Sequence, residues 1–328
     1  MASDLEVESL RRFDELVESG DIIFQDTEPI LVPSKPFNFQ FRIADSLTKK
    51  PQIDIEVARK LQEQRNSKES SPVEEPATAT SPEVKKSGQS TPSGQTASGK
   101  PKSPFDRDPP SFILSHPTDT HTLRFNKFCV VRPQFVLHTN EWQSQIDPLH
   151  TVDLEAGCNT LSELGEGYML IFNGGTQGGW SLPHRHMQLL PLSTGPAFGY
   201  ELWPDIYTSN RCHEDGIITV PEIPYAHALH RLPANLSQIT PSKLHDIYLS
   251  LLKACDVGES NEYSHNLILT HRWILVIPRL RAAQPGINVI NASAMIGMVW
   301  IPSKEVWQAW QDYKDLMETM TRFGYPNK

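Results

Sequence analysis

The sequence predicts an α+β protein built around a mainly antiparallel β-sheet. Strand-like and helix-like segments do not alternate regularly along the 328 residues, as they would around a parallel sheet. Short segments at 37–43 and 167–172 have the length and the apolar pattern of strands. Segments with helical apolar spacing and capping residues lie near both ends of the chain. We find no internal repeat in the sequence.

Five segments are predicted to be helical, one of them a stretch between the strand patterns at 134–139 and 167–172. Ser3 and Glu6 form a capping-box pattern for a helix over about the first 20 residues, and Gly20 is expected to end it. Thr240 followed by Pro241 is typical of the N-cap and first turn of a helix, which we expect to reach residue 254. The other helical patterns cover 53–61 and 303 to about 322.

The predicted strands follow from period-two alternation and from short apolar runs. Alternation over 37–43 places Phe39, Phe41 and Ile43 on one face. Further strand patterns occur at 123–131, 134–139, 167–172, 184–190 and 294–301, with Arg132 and Pro133 as a turn. The segment 266–277 contains two apolar runs and fits either a hairpin or one long strand.

Residues 66–110 differ in composition from the rest of the chain. The segment is rich in Ser, Pro, Thr, Gly and Lys, and Val and Phe are nearly its only apolar residues larger than alanine. Such a segment cannot bury enough apolar surface to offset the entropy lost on ordering. We therefore predict that 66–110 is a disordered insertion.

Charge and composition exclude several classes of protein. The net charge is 30 − 39 = −9, which argues against binding of long nucleic acid through a basic surface. No apolar run is long enough to span a membrane, and the first residues lack the apolar core of a secretory signal. The four cysteines are scattered, so we expect neither disulfides nor a thiolate metal site. We expect a cytoplasmic location, with the nucleus as the alternative.

The segment 172–188 carries the clearest chemical signal. Its glycine-rich loop allows backbone N–H groups to approach an anion closely. In the strand that follows, His184, His186 and Gln188 share one face because side chains alternate. A neutral imidazole beside an anion-binding loop can attack phosphorus and form a covalent phosphoramidate.

Two other interpretations of the His-x-His pair remain open from the residues alone. The pair has the spacing of two metal ligands on a strand, or the histidines are structural. The glutamine two residues later and the preceding loop favour the catalytic interpretation. We interpret the remaining histidines as surface or structural residues: His116, His121, His138, His213, His227 and His230.

The pattern HRHMQ resembles the His-x-His-x-Gln active-site motif of the galactose-1-phosphate uridylyltransferase branch of the histidine-triad superfamily. The chain is most similar to the fungal ATP adenylyltransferases, or diadenosine tetraphosphate phosphorylases. The similarity extends to SLTKKP, FNKFCVV, YMLIFNGG, ILTHRWILVIPR and GINVINASAMIGMVW, which together span most of the chain outside 66–110. The resemblance implies a histidine-triad-like fold with a meander sheet flanked by helices.

The resemblance also implies roles for individual residues. His186 matches the nucleophile that becomes adenylylated, His184 the histidine that helps to orient it, and Gln188 the glutamine that binds phosphate and leaving-group oxygens. The implied substrate contacts are Lys50, Phe125, Asn126, Asn173, Gly179, Trp180, Ser181, Leu182, Asn291, Ala292, Ser293 and Met298. No metal ligand is implied.

Three residues depart from the pattern of the family. Trp180 and Leu182 stand where relatives have polar residues, and Pro302 stands where they tend to have a lysine. Each departure removes a polar contact to phosphate. A charge-assisted contact of this kind is worth ~1.5–3 kcal/mol, so weaker substrate binding is expected.

The resemblance implies a nucleotidyltransferase that phosphorolyses diadenosine tetraphosphate to ATP and ADP, and catalyses the reverse, through an AMP-histidine. The alternatives are a dinucleoside polyphosphate hydrolase, a nucleotide-binding protein with reduced or lost catalysis, and a uridylyl or sugar-nucleotide transferase. Residues 1–208 would form the catalytic region and 209–328 a C-terminal region that completes the site. The expected partners are ATP, ADP, dinucleoside polyphosphates and inorganic phosphate. No tightly bound cofactor is expected, and Mg²⁺ bound to the nucleotide is compatible with the reaction. The sequence does not predict an oligomeric state.

Overall fold

A computed structural model describes residues 3–50, 60, 103–192, 200–209, 216–233, 235–258, 264–313 and 315–327. Except for residue 60, the predicted helix over 53–61 lies outside these residues, as does most of the predicted insertion. Among the described residues, no helix is both long enough and apolar enough to cross a bilayer.

Two sheets form the framework of the described chain. Nine strands are hydrogen-bonded in the order β3-β4-β5-β7-β6-β10-β11-β9-β8, and every neighbouring pair is antiparallel. A smaller sheet has the order β1-β2-β12, in which β2 and β12 are parallel. The strands are Ile30–Val32 (β1), Phe39–Ile43 (β2), Ile113–Thr118 (β3), His121–Phe125 (β4), Phe135–Thr139 (β5), Tyr168–Gly174 (β6), His186–Pro191 (β7), Ile217–Ile218 (β8), Ala228–Arg231 (β9), His265–Leu269 (β10), Trp273–Pro278 (β11) and Met298–Ile301 (β12). The predicted α+β class with a mainly antiparallel sheet is confirmed.

The helices begin where the sequence supplies N-caps. Ser3 and Thr240 accept the backbone N–H groups of Glu6 and Lys243 at 3.0 and 3.2 Å, which satisfies donors that the helix itself leaves free. The described helices are Asp4–Glu18 (α1), Thr151–Leu164 (α2), Trp203–Ser209 (α3), Pro241–Ala254 (α4), Ala292–Met295 (α5), Lys304–Gln311 (α6) and Leu316–Thr321 (α7).

The large sheet separates two hydrophobic cores. On one face, α1, α2 and α4 pack against residues such as Leu123, Leu137 and Leu170. On the other face, the smaller sheet and the C-terminal helices cover β6, β10 and β11 through a second core. The part of this second face that belongs to β4, β5 and β7 instead carries polar side chains, and it is where the candidate site lies.

Three predicted boundaries are wrong. The strand predicted over 123–131 ends at Phe125, because the Asn126 side chain accepts the N–H of Phe128 at 3.1 Å and turns the chain. The strand predicted over 294–301 begins only at Met298, after the short helix α5 and Gly297 with φ +93°. The helix predicted from 303 to about 322 is divided into α6 and α7, and Asp315 caps the second one.

The segment 266–277 forms a hairpin, the first of the two alternatives. Strands β10 and β11 pair from His265 with Pro278 to Leu269 with Ile274.

The large sheet also contains a repeat of topology that the sequence does not reveal. A hairpin, a helix and a second hairpin (β4-β5, α2, β6-β7) are followed by the same order of elements (β8-β9, α4, β10-β11). The two units meet at the antiparallel pair of β6 and β10, where Phe172 lies opposite Leu267. The predicted regions 1–208 and 209–328 therefore share one continuous sheet.

The predicted disordered insertion is wrong for residues 103–110. Pro104–Arg107 and Pro110–Phe112 form two 3-10 turns, and Phe105 is buried. The physical reason is tertiary packing, since Phe105 supplies an apolar side chain that packs against the large sheet at β5 and β7.

Candidate active site

The face of β5 and β7 that the helices do not cover brings the motif residues together. His186 and Gln188 alternate with Met187, whose side chain faces the helical core. His184 precedes the strand, and an isolated bridge to Ser144 holds its backbone. The rings of His138 and His184 lie 5.8 Å apart, measured between centroids. The histidine pair and Gln188 therefore occupy one face, as their spacing predicts.

His186 is held with one ring nitrogen bonded and the other free. Its Nδ1 lies 2.8 Å from the carbonyl oxygen of His184, which can only accept, so Nδ1 carries the proton. Nε2 then holds the lone pair, and the described residues form no hydrogen bond to it. Gln145 fixes the backbone, because its side chain accepts the N–H of His186 at 2.8 Å and donates to its carbonyl at 3.1 Å. The geometry presents a fixed, unpartnered nitrogen nucleophile.

The electrostatic surroundings of His186 favour the neutral imidazole. Burial, with a smaller contribution from the positive charge of Lys50, lowers its pKa to about 4. Lys50 is half-buried, and burial lowers the pKa of its ammonium group as well. The structure therefore places a cation near the candidate nucleophile.

His184 orients His186 through its backbone rather than its ring. Its own Nε2–H donates to the carbonyl oxygen of Thr139 at 2.9 Å, with the Thr139 hydroxyl at the same distance. The His184 ring is thus engaged with β5, while its carbonyl receives the proton of His186.

Gln188 is positioned by a second glutamine that sequence reasoning missed. Gln134 donates from Nε2 to Oε1 of Gln188 at 3.0 Å, and its own Oε1 accepts the N–H of Val130 at 2.9 Å. This chain of contacts fixes the carboxamide oxygen of Gln188 and leaves its amide N–H groups as donors. Gln134 is buried and comes just before β5, but no sequence pattern marks it.

Two aromatic rings complete the histidine cluster, and neither is predicted as a site residue. His138 projects from β5, and the ring of Phe105 stacks on it with centroids 4.2 Å apart and planes at 18°. Burial lowers the pKa of His138 to about 3. His138 is thus buried beside His184 rather than on the surface, and its interpretation as a structural histidine stays a prediction.

Asn173 joins the glycine loop to the C-terminal part of the chain. Its Oδ1 accepts the amide of Asn266 at 2.9 Å and the backbone N–H of Ala292 at 2.8 Å. Asn291 is the N-cap of α5, and its side chain also accepts the hydroxyl of Ser293 at 2.9 Å. The predicted residues Asn173, Asn291, Ala292 and Ser293 are thus brought together at the end of β6.

A buried arginine supports the same loop from behind. Arg279 donates to the carbonyl oxygens of Gly178, Ile290 and Phe323, at 3.4, 2.9 and 3.2 Å, and to the side chain of Asn266. Burial lowers its pKa to about 9. Arg279 thus connects the glycine loop at Gly178 to the backbone at Ile290 and Phe323.

The glycine loop itself requires glycine at specific positions. Gly175 and Gly179 have φ of +72° and +87°, which side chains rarely tolerate. A Cβ on Gly179 would lie 2.2 Å from the carbonyl oxygen of Ile290. The indole N–H of Trp180 donates to the carbonyl of Gly175, so this side chain closes the loop from within.

Known proteins match the chain over most of its length. A family model described as the Ap4A phosphorylase N-terminal domain matches residues 77–200, and one described as the ATP adenylyltransferase C-terminal domain matches residues 221–326. The chain belongs to the family of Ap4A phosphorylases, or ATP adenylyltransferases, whose two domains these models describe. The resemblance inferred from the sequence is thereby confirmed.

Relatives from Saccharomyces cerevisiae are similar over most of their length. Protein APA1 is 26% identical over 257 residues, which cover 72% of this chain and 78% of that protein. Diadenosine 5',5'''-P1,P4-tetraphosphate phosphorylase 2 is 26% identical over 234 residues, or 63% and 70% of the two chains. The crystal structure of yeast Ap4A phosphorylase Apa2 in complex with Ap4A matches the whole chain with a TM-score of 0.73 and 19% identity, and that match shows the fold.

Within this fold, two residues inferred from the family lie in the hydrophobic cores instead of beside the histidines. Phe125 packs in the core beneath the helices, and Met298 is buried in the second core. The Asn126 side chain is used to turn the chain after β4. Ser181 and Leu182 are half-buried in the loop before His184. The structure thus does not bring the side chains of Phe125 and Met298 to the site.

The departures from the family pattern can now be placed. Trp180 contributes a loop contact instead of a polar group directed at a ligand. Pro302 precedes the cap of α6, and Lys304 is the exposed first residue of that helix. In the described parts of the chain, no three His, Cys, Asp or Glu side chains are arranged to hold a metal ion.

Proposed function

We propose that the protein phosphorolyses diadenosine tetraphosphate to ATP and ADP, and catalyses the reverse reaction, through an AMP-histidine at His186. The observation that carries the proposal is the state of this ring, with Nδ1 bonded to the His184 carbonyl at 2.8 Å and Nε2 free. Family membership and the yeast relative named as a diadenosine tetraphosphate phosphorylase support the choice of substrate.

In the first step, Nε2 of His186 attacks the α-phosphorus of one adenosine end. The Nε2–P bond forms as the bond from phosphorus to the bridging oxygen breaks, and ATP leaves. An imidazole whose pKa is about 4 is neutral at physiological pH and has its lone pair available. In the second step, an oxygen of inorganic phosphate attacks the same phosphorus, the P–Nε2 bond breaks, and ADP is released.

The surrounding groups would stabilise charge on the phosphates. Gln188 has amide N–H donors left after its oxygen accepts from Gln134. Lys50 supplies a positive charge, and the loop around Gly179 supplies backbone N–H groups. Asn173 would hold the loop and the 291–293 segment together against the nucleotide. The direct contacts proposed for Ser181, Leu182 and Asn126 rest on the family resemblance alone.

The implied conditions of the reaction are further proposals. We expect no tightly bound cofactor, with Mg²⁺ accompanying the nucleotide as part of the substrate. ATP, ADP, inorganic phosphate and dinucleoside polyphosphates are the expected partners, and the cytoplasm is the expected location.

The test is incubation of the purified protein with diadenosine tetraphosphate, with and without inorganic phosphate, with products separated by ion-exchange chromatography. ATP plus ADP formed only with phosphate, and lost in His186→Ala, would support the proposal. His116→Ala, which removes an exposed histidine outside the cluster, is the matched control and should leave the product pattern unchanged. ATP plus AMP regardless of phosphate would identify a hydrolase. Binding without turnover would identify a nucleotide-binding protein and overturn the proposal.

A further inference from the structure

The ring of Phe105 lies against all three histidines of the site. Its centroid is 4.2 Å from that of His138, 5.5 Å from that of His184 and 6.2 Å from that of His186. Phe105 is 8% exposed and His186 is 4% exposed. A hydrocarbon ring with no polar atom therefore occupies space directly beside the candidate nucleophile.

The Phe105 segment is fastened to the sheet and does not merely rest on it. Arg124 of β4 donates to the carbonyl oxygen of Phe105 at 2.9 Å and to the carboxylate of Asp108 at 2.7 Å. The guanidinium also lies 5.4 Å from the centroid of the Phe105 ring. Ser103 accepts the N–H of Phe105 at 3.3 Å and caps the turn. These contacts hold the ring in one place over the histidine face.

A covalent AMP-histidine has two competing fates. In both, the P–Nε2 bond breaks and its electron pair returns to Nε2. When phosphate attacks, a phosphate oxygen forms the new P–O bond and the product is ADP. When water attacks, the water oxygen forms that bond, its proton passes to solvent, and the product is AMP. Because water is always in great excess, transfer to phosphate requires a site that excludes it.

We propose that Phe105 shields the AMP-histidine from water and thereby determines that phosphate, rather than water, is the acceptor. The proposal rests on the proposed function, since it needs the covalent intermediate. Phe105 touches the histidines and excludes water from them, but it takes no part in bond formation. Its apolar ring, its contact with His186 and its attachment through Arg124 are the features that fit this role.

The experiment measures the ratio of AMP to ADP formed from diadenosine tetraphosphate at a fixed phosphate concentration. In Phe105→Ala we expect this ratio to rise about tenfold over that of the parent protein, equivalent to ~1.4 kcal/mol between the two competing barriers. Phe105→Leu keeps most of the apolar volume and should give a smaller rise. Because the ratio is counted per turnover, a variant that is partly unfolded still reports it correctly.

Phe112→Leu provides the matched control. Arg124 also lies 5.4 Å from the ring of Phe112, but that ring packs in the core on the helical face of the sheet. The control therefore disturbs the same anchor region and should leave the ratio unchanged. An unchanged ratio in Phe105→Ala, or an equal rise in Phe112→Leu, would overturn the shielding role. Failure of the proposed function is distinguishable, since the parent protein would then form no ADP.

Discussion

At the scale of single residues, a backbone carbonyl decides which nitrogen of His186 reacts. The carbonyl oxygen of His184 accepts from Nδ1, so the lone pair is on Nε2. Burial then keeps the imidazole neutral. The first motif histidine thus contributes its main chain to the nucleophile, while its ring binds Thr139.

This arrangement predicts how adenylylation depends on pH. A protonated imidazole has no lone pair on Nε2, and a free histidine protonates near pH ~6.5. Because burial lowers the pKa of His186 to about 4, the neutral form persists to lower pH. The rate of AMP-histidine formation in single-turnover experiments should therefore stay nearly constant from neutral pH down to about pH 5 and fall as the pH approaches 4. A midpoint near that of free histidine would contradict the assigned environment, and circular dichroism at each pH would confirm that the protein remains folded.

The motif residues were predictable from the sequence because their chemistry is local. His184, His186 and Gln188 alternate along one short segment, so spacing alone places them on one face. Phe105 and His138 come from separate parts of the chain, and only the packing of the sheet brings them together. Phe105 was further concealed because it lies in a segment whose average composition is that of a disordered region.

At the scale of elements, the glycine loop depends on contacts from the C-terminal part of the chain. Gly179 passes close to the carbonyl of Ile290, and Arg279 bonds that same carbonyl at 2.9 Å. The loop can therefore adopt its conformation only when both parts of the chain are folded together.

Gly179→Ala should weaken substrate binding. The left-handed conformation costs an L-residue roughly 1–2 kcal/mol, and the added Cβ would also meet backbone that cannot easily move. We expect KM for diadenosine tetraphosphate to rise about tenfold or more, the effect of ~1.4 kcal/mol. Gly167→Ala is the matched control, since a Cβ there meets nothing within 4 Å. Steady-state kinetics that give the same KM for both variants would show that the shape of the loop is unimportant for binding.

Helices were easier to predict than strand partners at this scale. Caps such as Ser3 and Thr240 act on residues three positions away, so the sequence contains the whole signal. The pairing of β12 with β2 joins residues far apart in sequence, and Gly297 delays the start of β12 until after α5. Both features depend on tertiary contacts, which short-range patterns do not encode.

For the whole molecule, the repeated topology supplies two units of which one carries the histidines. Strand β7 of the first unit presents His186 and Gln188, whereas β11, in the corresponding place of the second unit, is the apolar segment WILVIP. The second unit instead contributes Asn266 and Arg279, which hold the loop of the first. The first unit thus supplies the reactive side chains, and the second unit holds the loop beside them. Because the two units differ in sequence, their common topology is not visible in the sequence.

The stability of the motif strand rests on a carboxylate that lies on the opposite face of the sheet. Asp153 of α2 accepts from Arg185, the residue between the two motif histidines, at 3.0 Å, and contacts His121 of β4 at 3.0 Å. It also accepts the backbone N–H of His150 at 2.6 Å. Burial opposes ionisation of Asp153, but these partners outweigh it and hold the pKa below its usual range. A buried carboxylate with three partners is costly to alter, because an amide in its place keeps only one acceptor oxygen and leaves Arg185 without its counter-charge.

Asp153→Asn should therefore lower the free energy of unfolding by about 3–5 kcal/mol at neutral pH, measured by urea denaturation. Asp14→Asn, which breaks the exposed pair with Arg132, is the matched control and should cost at most ~1 kcal/mol. Folding lowers the pKa of Asp153. The carboxylate therefore stabilises the folded protein fully at pH values above its unfolded pKa of ~3.9, and this stabilisation is lost as the pH falls through its lower folded pKa. The difference between parent and variant should accordingly shrink in acid. Equal costs for the two substitutions at neutral pH would mean that Arg185 does not tie the motif to α2. A larger cost for Asp153→Asn would instead show that one short segment serves stability on one face, through Arg185, and chemistry on the other, through His186.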